Sequence, residues 1–365
     1  MTFDRYAFLD KNTPPERVNE AGLVSAPEDE YVVAFLKAEL ERAQAEEKEK
    51  KAHKESDKKK KKGSKKEEAV KRKNKARQDY MQQAADQERK YSLLSDFRLE
   101  PVHAFLPDPD WFAIDVSFTL ESPWYSKDDR PLHVLDNPVR KDRVFGAPFM
   151  SAASWKGLLR WACRMQAGLS EHLEKHDMRM EAWQDPSWIL HLFGNERGED
   201  ERFRSGALVC HPTWFDKVVF EVINPHDRAR RAGTQPIYYE VVPAGTEGKL
   251  RLLYAPLPGE IERDQTTPTA FISDFIDSIR ALLENYGISA KRTAGWGKAR
   301  IDLKKSKLLF LEGNPLDHFI PDATVPYEAP SNAGDTPSLR RKERSFEEFI
   351  EAMAKTGNTR RGGNP

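Results

Sequence analysis

Apolar and polar positions alternate along WFAIDVSFTL (111–120), which predicts a strand with one face turned inward. The period then lengthens: in ASWKGLLRWACRMQ (153–166), Trp155, Leu158, Leu159, Ala162 and Met165 recur on one helical face. MEAWQDPSWILHLFG (180–194) predicts a shorter helical region ending at Gly194. RSGALVCHPTWF and KVVFEVIN read as strands, and YYEVVPAGTEGKLRLLYAPL as a hairpin turning about Ala244 to Gly248. TAFISDFIDSIRALLENYG predicts an amphipathic helix closed by Gly287, and KARIDLKK a last strand. The order predicts an α+β domain compatible with a ferredoxin-like (RRM-like) core, two helices on an antiparallel sheet, enlarged by insertions.

This domain is expected over 95–321. Residues 1–30 hold turn formers (NTPPER, SAPEDE) and little periodicity, and 31–94 predict an N-terminal charged helical arm. Its centre, KKAHKESDKKKKKGSKKEEAVKRKNK, is nearly devoid of apolar residues and broken by Gly-Ser, so a flexible Lys-rich tip is expected. Residues 322–365 predict a loop-like tail with one short helix, SFEEFIEAMAK.

Charge sharpens this division. The 365 residues hold 59 Lys and Arg against 59 Asp and Glu, yet Lys48 to Arg77 alone hold 16 basic and 5 acidic, leaving 43 against 54 elsewhere. The zero net charge is therefore +11 and −11 in two unlike pieces. The arm reads either as a solubilising segment or as a nucleic-acid contact. No apolar run approaches the roughly 18 residues of a membrane span, and MTFDRYAFLDKN lacks signal-peptide architecture, so a cytoplasmic protein without a membrane partner is expected. Cys163 and Cys210 are too few for a zinc site and read as small buried hydrophobes.

Three loops concentrate candidate chemistry. In LDNPVRKDRVFGAPFMSAASWKGLLR (135–160), a polar loop with Asp136 leads into a helix opening with Ser151 and Ser154. Its hydroxyls can cap the helix, its free N–H groups suit an anion, and Lys156 and Arg160 lie on one face. GISAKRTAGWGKARI (287–301) places Gly295 and Gly297, which let a backbone approach a ligand, among Lys291, Arg292, Lys298 and Trp296, which suit phosphates and bases. EVINPHDRARRAGTQP offers Arg228, Arg230 and Arg231 as phosphate contacts, with His226 beside Asp227 as an acid/base candidate.

FMSAASWKGLLR resembles the I-P-G-S-S-L-K-G-x-L-R signature of the RAMP superfamily of CRISPR-associated proteins, with Met150-Ser151 where that signature has Pro-Gly. GISAKRTAGWGKARI is similar to its terminal loop G-x-K-T-x-x-G-Y-G-R, and LFG followed by RSGALVC to its middle; the resemblance covers about 110–305. It implies an RRM-like fold that binds CRISPR RNA beside other subunits of a type III effector complex. LDNPVRKD is similar to the "IDSPVIKD" loop of backbone subunits that cut target RNA, which places cleavage on Asp136. Such cleavage implies a divalent cation, Mg or Mn, at Asp136, with the RNA 2′-hydroxyl as the nucleophile. The charged arm has no counterpart in the ordinary backbone subunit. Three alternatives stay open: a non-catalytic RNA-binding subunit with Asp136 or Asn137 in an Asx-type turn, a metal-independent guide-processing ribonuclease using His226 or His133, and an interaction protein whose arm docks a protein partner.

Overall fold

The computed structural model describes residues 59–86, 106–129, 133, 135–143, 146–180, 182–195, 203–224, 226–227, 232–233, 236–319 and 341–361. In chain order these form helix α1 (Lys59–Asp86), strands β1 (Phe112–Leu120) and β2 (Phe149–Met150), helices α2 (Ala152–Gln166), α3 (Leu169–Lys175) and α4 (Ser187–Phe193), and strand β3 (Leu208–Cys210). Strands β4 (Thr213–Trp214), β5 (Val219–Ile223), β6 (His226–Asp227), β7 (Ala232–Gly233), β8 (Ile237–Val241) and β9 (Glu247–Tyr254) follow. Helices α5 (Glu260–Asp264) and α6 (Pro268–Arg280) then lead through a π turn (Ala281–Tyr286) to β10 (Ala299–Ile301), β11 (Lys307–Leu311), β12 (Arg341–Ser345) and α7 (Phe346–Arg361). Described residues within 1–90, 127–147 and 217–241 make a smaller compact unit, and those within 91–126, 148–216 and 242–365 a larger one.

The larger unit is built on a six-stranded antiparallel sheet in the order β12-β11-β1-β9-β3, with β10 paired to the far end of β1. The alternation in β1 places Phe112, Ile114, Val116, Phe118 and Leu120 on one buried face. Their cross-strand neighbours are Tyr254, Leu252 and Leu250 on β9 and Phe310 and Leu308 on β11. Helices α2 and α6 cover this face: Phe118 meets Trp155 edge-on at 6.1 Å, and Tyr254 meets Phe271 at 5.6 Å. Phe271, Ile272, Phe275, Ile276 and Ile279 of α6 are all buried, each contributing about 1.5–3 kcal/mol by leaving water. On the sheet's other face Ala113, Leu106, Leu309 and Leu311 form a second small cluster.

In α2 the buried positions are Trp155, Leu159, Arg160, Ala162 and Cys163; Leu158 and Met165, expected inside, are only half-buried. The helical region expected over 180–194 is confined to α4, which does end at Gly194. Part of the expected tail is a strand: β12 (RKERS) has no apolar residue, yet it ladders onto β11, and Lys342 pairs with Asp317 at 2.7 Å and Glu343 with Lys307 at 2.5 Å. Phe346 and Phe349 of α7, both fully buried, anchor it.

In the smaller unit β5 and β8 form an antiparallel pair from Val219↔Val241 to Ile223↔Ile237, and β6 pairs with β7. Helix α1 packs on β5: Ala69, Ala76 and Tyr80 are buried, and Tyr80 meets Phe220 edge-on at 5.9 Å. The expected Lys-rich tip is thus helical from Lys59 onward, straight through Gly63 and Ser64, because one face of the helix finds a tertiary partner. No helix among the described residues is long and apolar enough to cross a membrane.

Candidate nucleic-acid interface

In the larger unit, β2 pairs with β4 and delivers the chain to the start of α2. Ser151 is the N-cap: its Oγ accepts from the Ser154 backbone N–H at 3.2 Å and shares a hydrogen bond with Ser154 Oγ at 2.9 Å. Ser154 is therefore a first-turn residue whose hydroxyl is already engaged. Trp155 fixes the helix from inside, its Nε1 donating to Thr213 Oγ1 at 2.9 Å. Lys156 is half-buried, while Gly157 is exposed, with open space where a Cβ would stand. Cys163 is buried as expected and Cys210 only half-buried, with desolvation pushing both thiols up to about 12. Arg160 departs from the expectation. Rather than facing an RNA backbone, it is buried and donates to Asp185 Oδ2 through Nε at 3.1 Å and Nη2 at 2.7 Å. Arg164 and Trp183 Nε1 converge on the same carboxylate. Burial alone would raise the Asp185 pKa; the bonds from Arg164, Arg160 and Trp183 outweigh it and lower it.

The glycine loop in the same unit divides its glycines between two tasks. Gly297 has φ +83°, and a Cβ there would lie 2.3 Å from the Ser289 backbone N; its close approach is to its own chain rather than to a ligand. Ile288 N–H donates to Gly297 O at 2.9 Å and closes the loop. Gly295, at φ +79°, ends the short 3-10 turn Arg292–Ala294 and borders open space. Trp296 is half-buried, edge-on to Tyr125 at 6.5 Å, not the exposed platform expected. Lys298 is exposed; its backbone N donates to Ser122 Oγ and its carbonyl accepts from Glu121 N–H. Lys291 is half-buried, its carbonyl accepting from Ala294 and Trp296 N–H.

Arg292 joins loop to helix. Its guanidinium carbon lies 4.5 Å from the centroid of the Trp161 ring on α2, and Trp161 meets Tyr286 edge-on at 4.7 Å. Burial lowers the Arg292 pKa. Its Nη1 is buried without a hydrogen-bond partner, and no carboxylate pairs with it among the described residues. The structure thus brings the predicted loop and helix together through Trp161, a residue that none of the sequence motifs singles out. Its only signal was position, one helical turn beyond Gly157.

In the smaller unit, the LDNPVRKD loop is fastened by Glu240 on β8. Glu240 Oε1 accepts from Lys141 Nζ and from Tyr80 Oη, each at 2.6 Å, and Oε2 from the Val139 N–H at 3.0 Å. Asn137 Nδ2 donates to Tyr238 O at 3.2 Å, and Asn137 O accepts from Glu240 N–H at 3.0 Å. Asn137 therefore ties the loop to β8 and does not form an Asx turn. This leaves Asp136 at the surface, its side chain 79% exposed, with Oδ1 2.9 Å from Arg77 Nη2 of α1. Among the described residues Arg77 is the only hydrogen-bond partner of that carboxylate. No three His, Cys, Asp or Glu side chains gather into a metal-binding group among the described residues. The described residues thus offer a divalent ion one carboxylate; the rest of its shell would be water and phosphate, a donor set Mg²⁺ accepts and a structural zinc does not. His133 Nδ1 accepts from the Leu135 N–H at 3.0 Å, so that nitrogen is occupied. The side chains of His226 and Asp227, and residues Arg228, Arg230 and Arg231, lie outside the described residues. Arg77 and Glu240 had no local signal as loop partners: they lie 59 and 104 positions from Asp136.

A sequence profile of the RAMP superfamily matches residues 117–300, half of the 365-residue chain. No curated protein matches the sequence. Among solved structures the chain is similar, at 16% identity and TM-score 0.40 over 67% of this chain and 76% of that one, to a chain of a type III-B Cmr-beta bound to cognate target RNA. It is similar at 16% identity and TM-score 0.39, over 69% and 85%, to a chain of a CRISPR RNA-guided surveillance complex. A chain of a Csm3-Csm4 subcomplex from a type III-A CRISPR-Cas interference complex gives 15% identity and TM-score 0.36 over 67% and 98%. The matched span runs from within β1 to β10 and takes in α2 with its Ser151 cap, Trp161, and the glycine loop that seats Arg292, and on that match the chain belongs to the RAMP superfamily.

Proposed function

We propose that the chain is a CRISPR RNA-binding subunit of a type III effector complex, built on a ferredoxin-like core, with target RNA and other subunits of the complex as partners. Arg292 carries this reading. A guanidinium stacked on Trp161, with a buried Nη1 that has no partner and no carboxylate beside it, carries a desolvation cost that an arriving phosphate offsets. Lys291 and Lys298 flank it in the loop, Lys156 lies in the first turns of the helix that bears Trp161, and Gly295 leaves room for a backbone. Such contacts read the shape and charge of a strand rather than its sequence.

On the same reading Asp136 carries cleavage of guide-paired target RNA. The 2′-oxygen bonds to the adjacent phosphorus as the bond to the 5′-oxygen breaks; the 2′-proton leaves and the departing oxygen takes one up, giving a cyclic phosphate and a 5′-hydroxyl. A bound Mg²⁺ or Mn²⁺ would supply positive charge against the phosphate. Arg77 holds the Asp136 carboxylate in place, and the Glu240 cluster holds the loop. Asp136→Ala in the assembled complex is expected to slow target cleavage about a hundredfold or more while RNA binding persists; unchanged cleavage would sink the catalytic role. One observation favours a second reading, a non-catalytic scaffold: Oδ1 of Asp136 is already occupied by Arg77. In that case the variant would cleave normally and lose only stability.

A further inference from the structure

Helix α1 holds more cations than any other described element, 11 Lys and Arg against 4 Asp and Glu over Lys59–Asp86. A detached segment of that composition would not hold one conformation. Here its inner face is fixed by Ala69, Ala76 and Tyr80, with Tyr80 Oη on Glu240 at 2.6 Å and Arg77 on Asp136 at 2.9 Å. The outward charges therefore stand on an oriented surface. At roughly 100° per residue, Lys71 and Lys75 lie about 180° and 140° round the helix from Tyr80. Both are exposed, and Gln78 and Gln82 continue the same exposed row.

Arg72 pairs with Glu68 at 3.0 Å, but Lys71 and Lys75 have no ion-pair partner among the described residues. This holds although acidic residues outnumber basic ones, 54 to 43, outside Lys48–Arg77. The outer face carries no aromatic residue, and its flanking apolar residue is Val70, 40% exposed. Protein-docking patches centre on aromatic residues and Arg and are depleted in Lys, whereas a row of unpaired lysines suits phosphates, whose counterions are released on contact.

We propose that the outer face of α1 is a phosphate-tracking ridge for single-stranded RNA running past the Asp136 loop. This rests on the RNA-binding reading above and adds a surface that reading does not use. The test is fluorescence anisotropy of the full-length chain with a labelled single-stranded RNA over a salt series, for wild type, K71Q/K75Q, K71R/K75R and R292Q. For K71Q/K75Q the slope of log K against log salt is expected to fall by about 1.4, and affinity at moderate salt to drop severalfold. K71R/K75R keeps the wild-type slope. All three lysine-site proteins should share one melting temperature, both side chains being exposed. An unchanged slope in K71Q/K75Q, with wild type binding and R292Q weakened, overturns the ridge alone and leaves that face to an acidic protein partner. Wild type binding no RNA, or R292Q binding as wild type does, overturns the proposed function instead.

Discussion

Glu240 is fully buried, and both of its oxygens are in use: Lys141 Nζ and Tyr80 Oη on one, the Val139 N–H on the other. Such a pair gains little over an apolar replacement of both partners, but removing one partner strands the other charge. Glu240→Gln removes a buried charge 2.6 Å from Lys141 Nζ, itself 2% exposed at its side chain, at an expected cost of about 3–5 kcal/mol. Arg140→Gln breaks the pair with Asp129, whose side chain is 70% exposed, and should cost under about 1 kcal/mol. Urea unfolding of the two variants checks the ranking, and comparable losses would remove Glu240 from its place as the loop's anchor. A Glu inside YYEVV was visible in the sequence as a polar residue on an apolar strand, but its partners came from 99 and 160 positions away. Arg160 shows the converse. As a cation one helical turn from Lys156 it looked like a backbone contact, and only the fold reveals Asp185 waiting for it.

The elements that were legible are those whose burial repeats within a few residues: β1 by alternation, α2 and α6 by helical period. Strand β12 was not, because RKERS is held by a ladder and ion pairs and by Phe346 and Phe349 beyond its end. Helix α1 runs through Gly63-Ser64, where the sequence predicts a break, because local propensity cannot register the tertiary face at Ala69, Ala76 and Tyr80. In the glycine loop the residue types were legible and their division of labour was not. Gly295 and Gly297 share a left-handed backbone, φ +79° and +83°, but only Gly297 faces atoms a Cβ would strike. Gly295→Ala should therefore cost about 1 kcal/mol, the conformational term alone. Gly297→Ala adds a collision with the Ser289 backbone and should cost at least about 2 kcal/mol more. Thermal unfolding decides it: equal losses would mean that the close approach at Gly297 carries no energy.

At the scale of the whole molecule, the neutral total conceals a cationic helix in the smaller unit and an acid-sensitive cluster in the larger. Asp264, 2% exposed at its side chain, accepts from Arg263 Nε at 2.9 Å, from His191 Nδ1 at 2.8 Å and from Arg204, while His191 Nε2 meets Tyr254 Oη at 2.7 Å. Burial would raise its carboxyl; the Arg263 and His191 hydrogen bonds and the charges of Arg204 and Arg263 outweigh burial and hold the pKa at about 2, against 3.8 for an ordinary Asp. A carboxyl whose folded pKa is depressed lends stability that is fully present above the unfolded value and disappears as pH falls through the folded one. The shift corresponds to about 2 kcal/mol, present above about pH 4 and lost between about pH 4 and 2. Asp110 and Asp274 act in the opposite sense: burial first, then Asp108 and Glu262 for one and Asp277 for the other, raises their pKa, so protonating them on mild acidification adds stability. Wild type should hold its urea midpoint into mildly acidic conditions and then lose it steeply below about pH 4. Asp264→Asn should be less stable at neutral pH by about 2 kcal/mol or more, with its deficit closing as pH approaches 2. Urea titrations across pH 2 to 7 measure the difference. A gap that stays constant with pH would show that the Asp264 charge does not hold the cluster together and that its stability comes from packing around Tyr254 and Phe271.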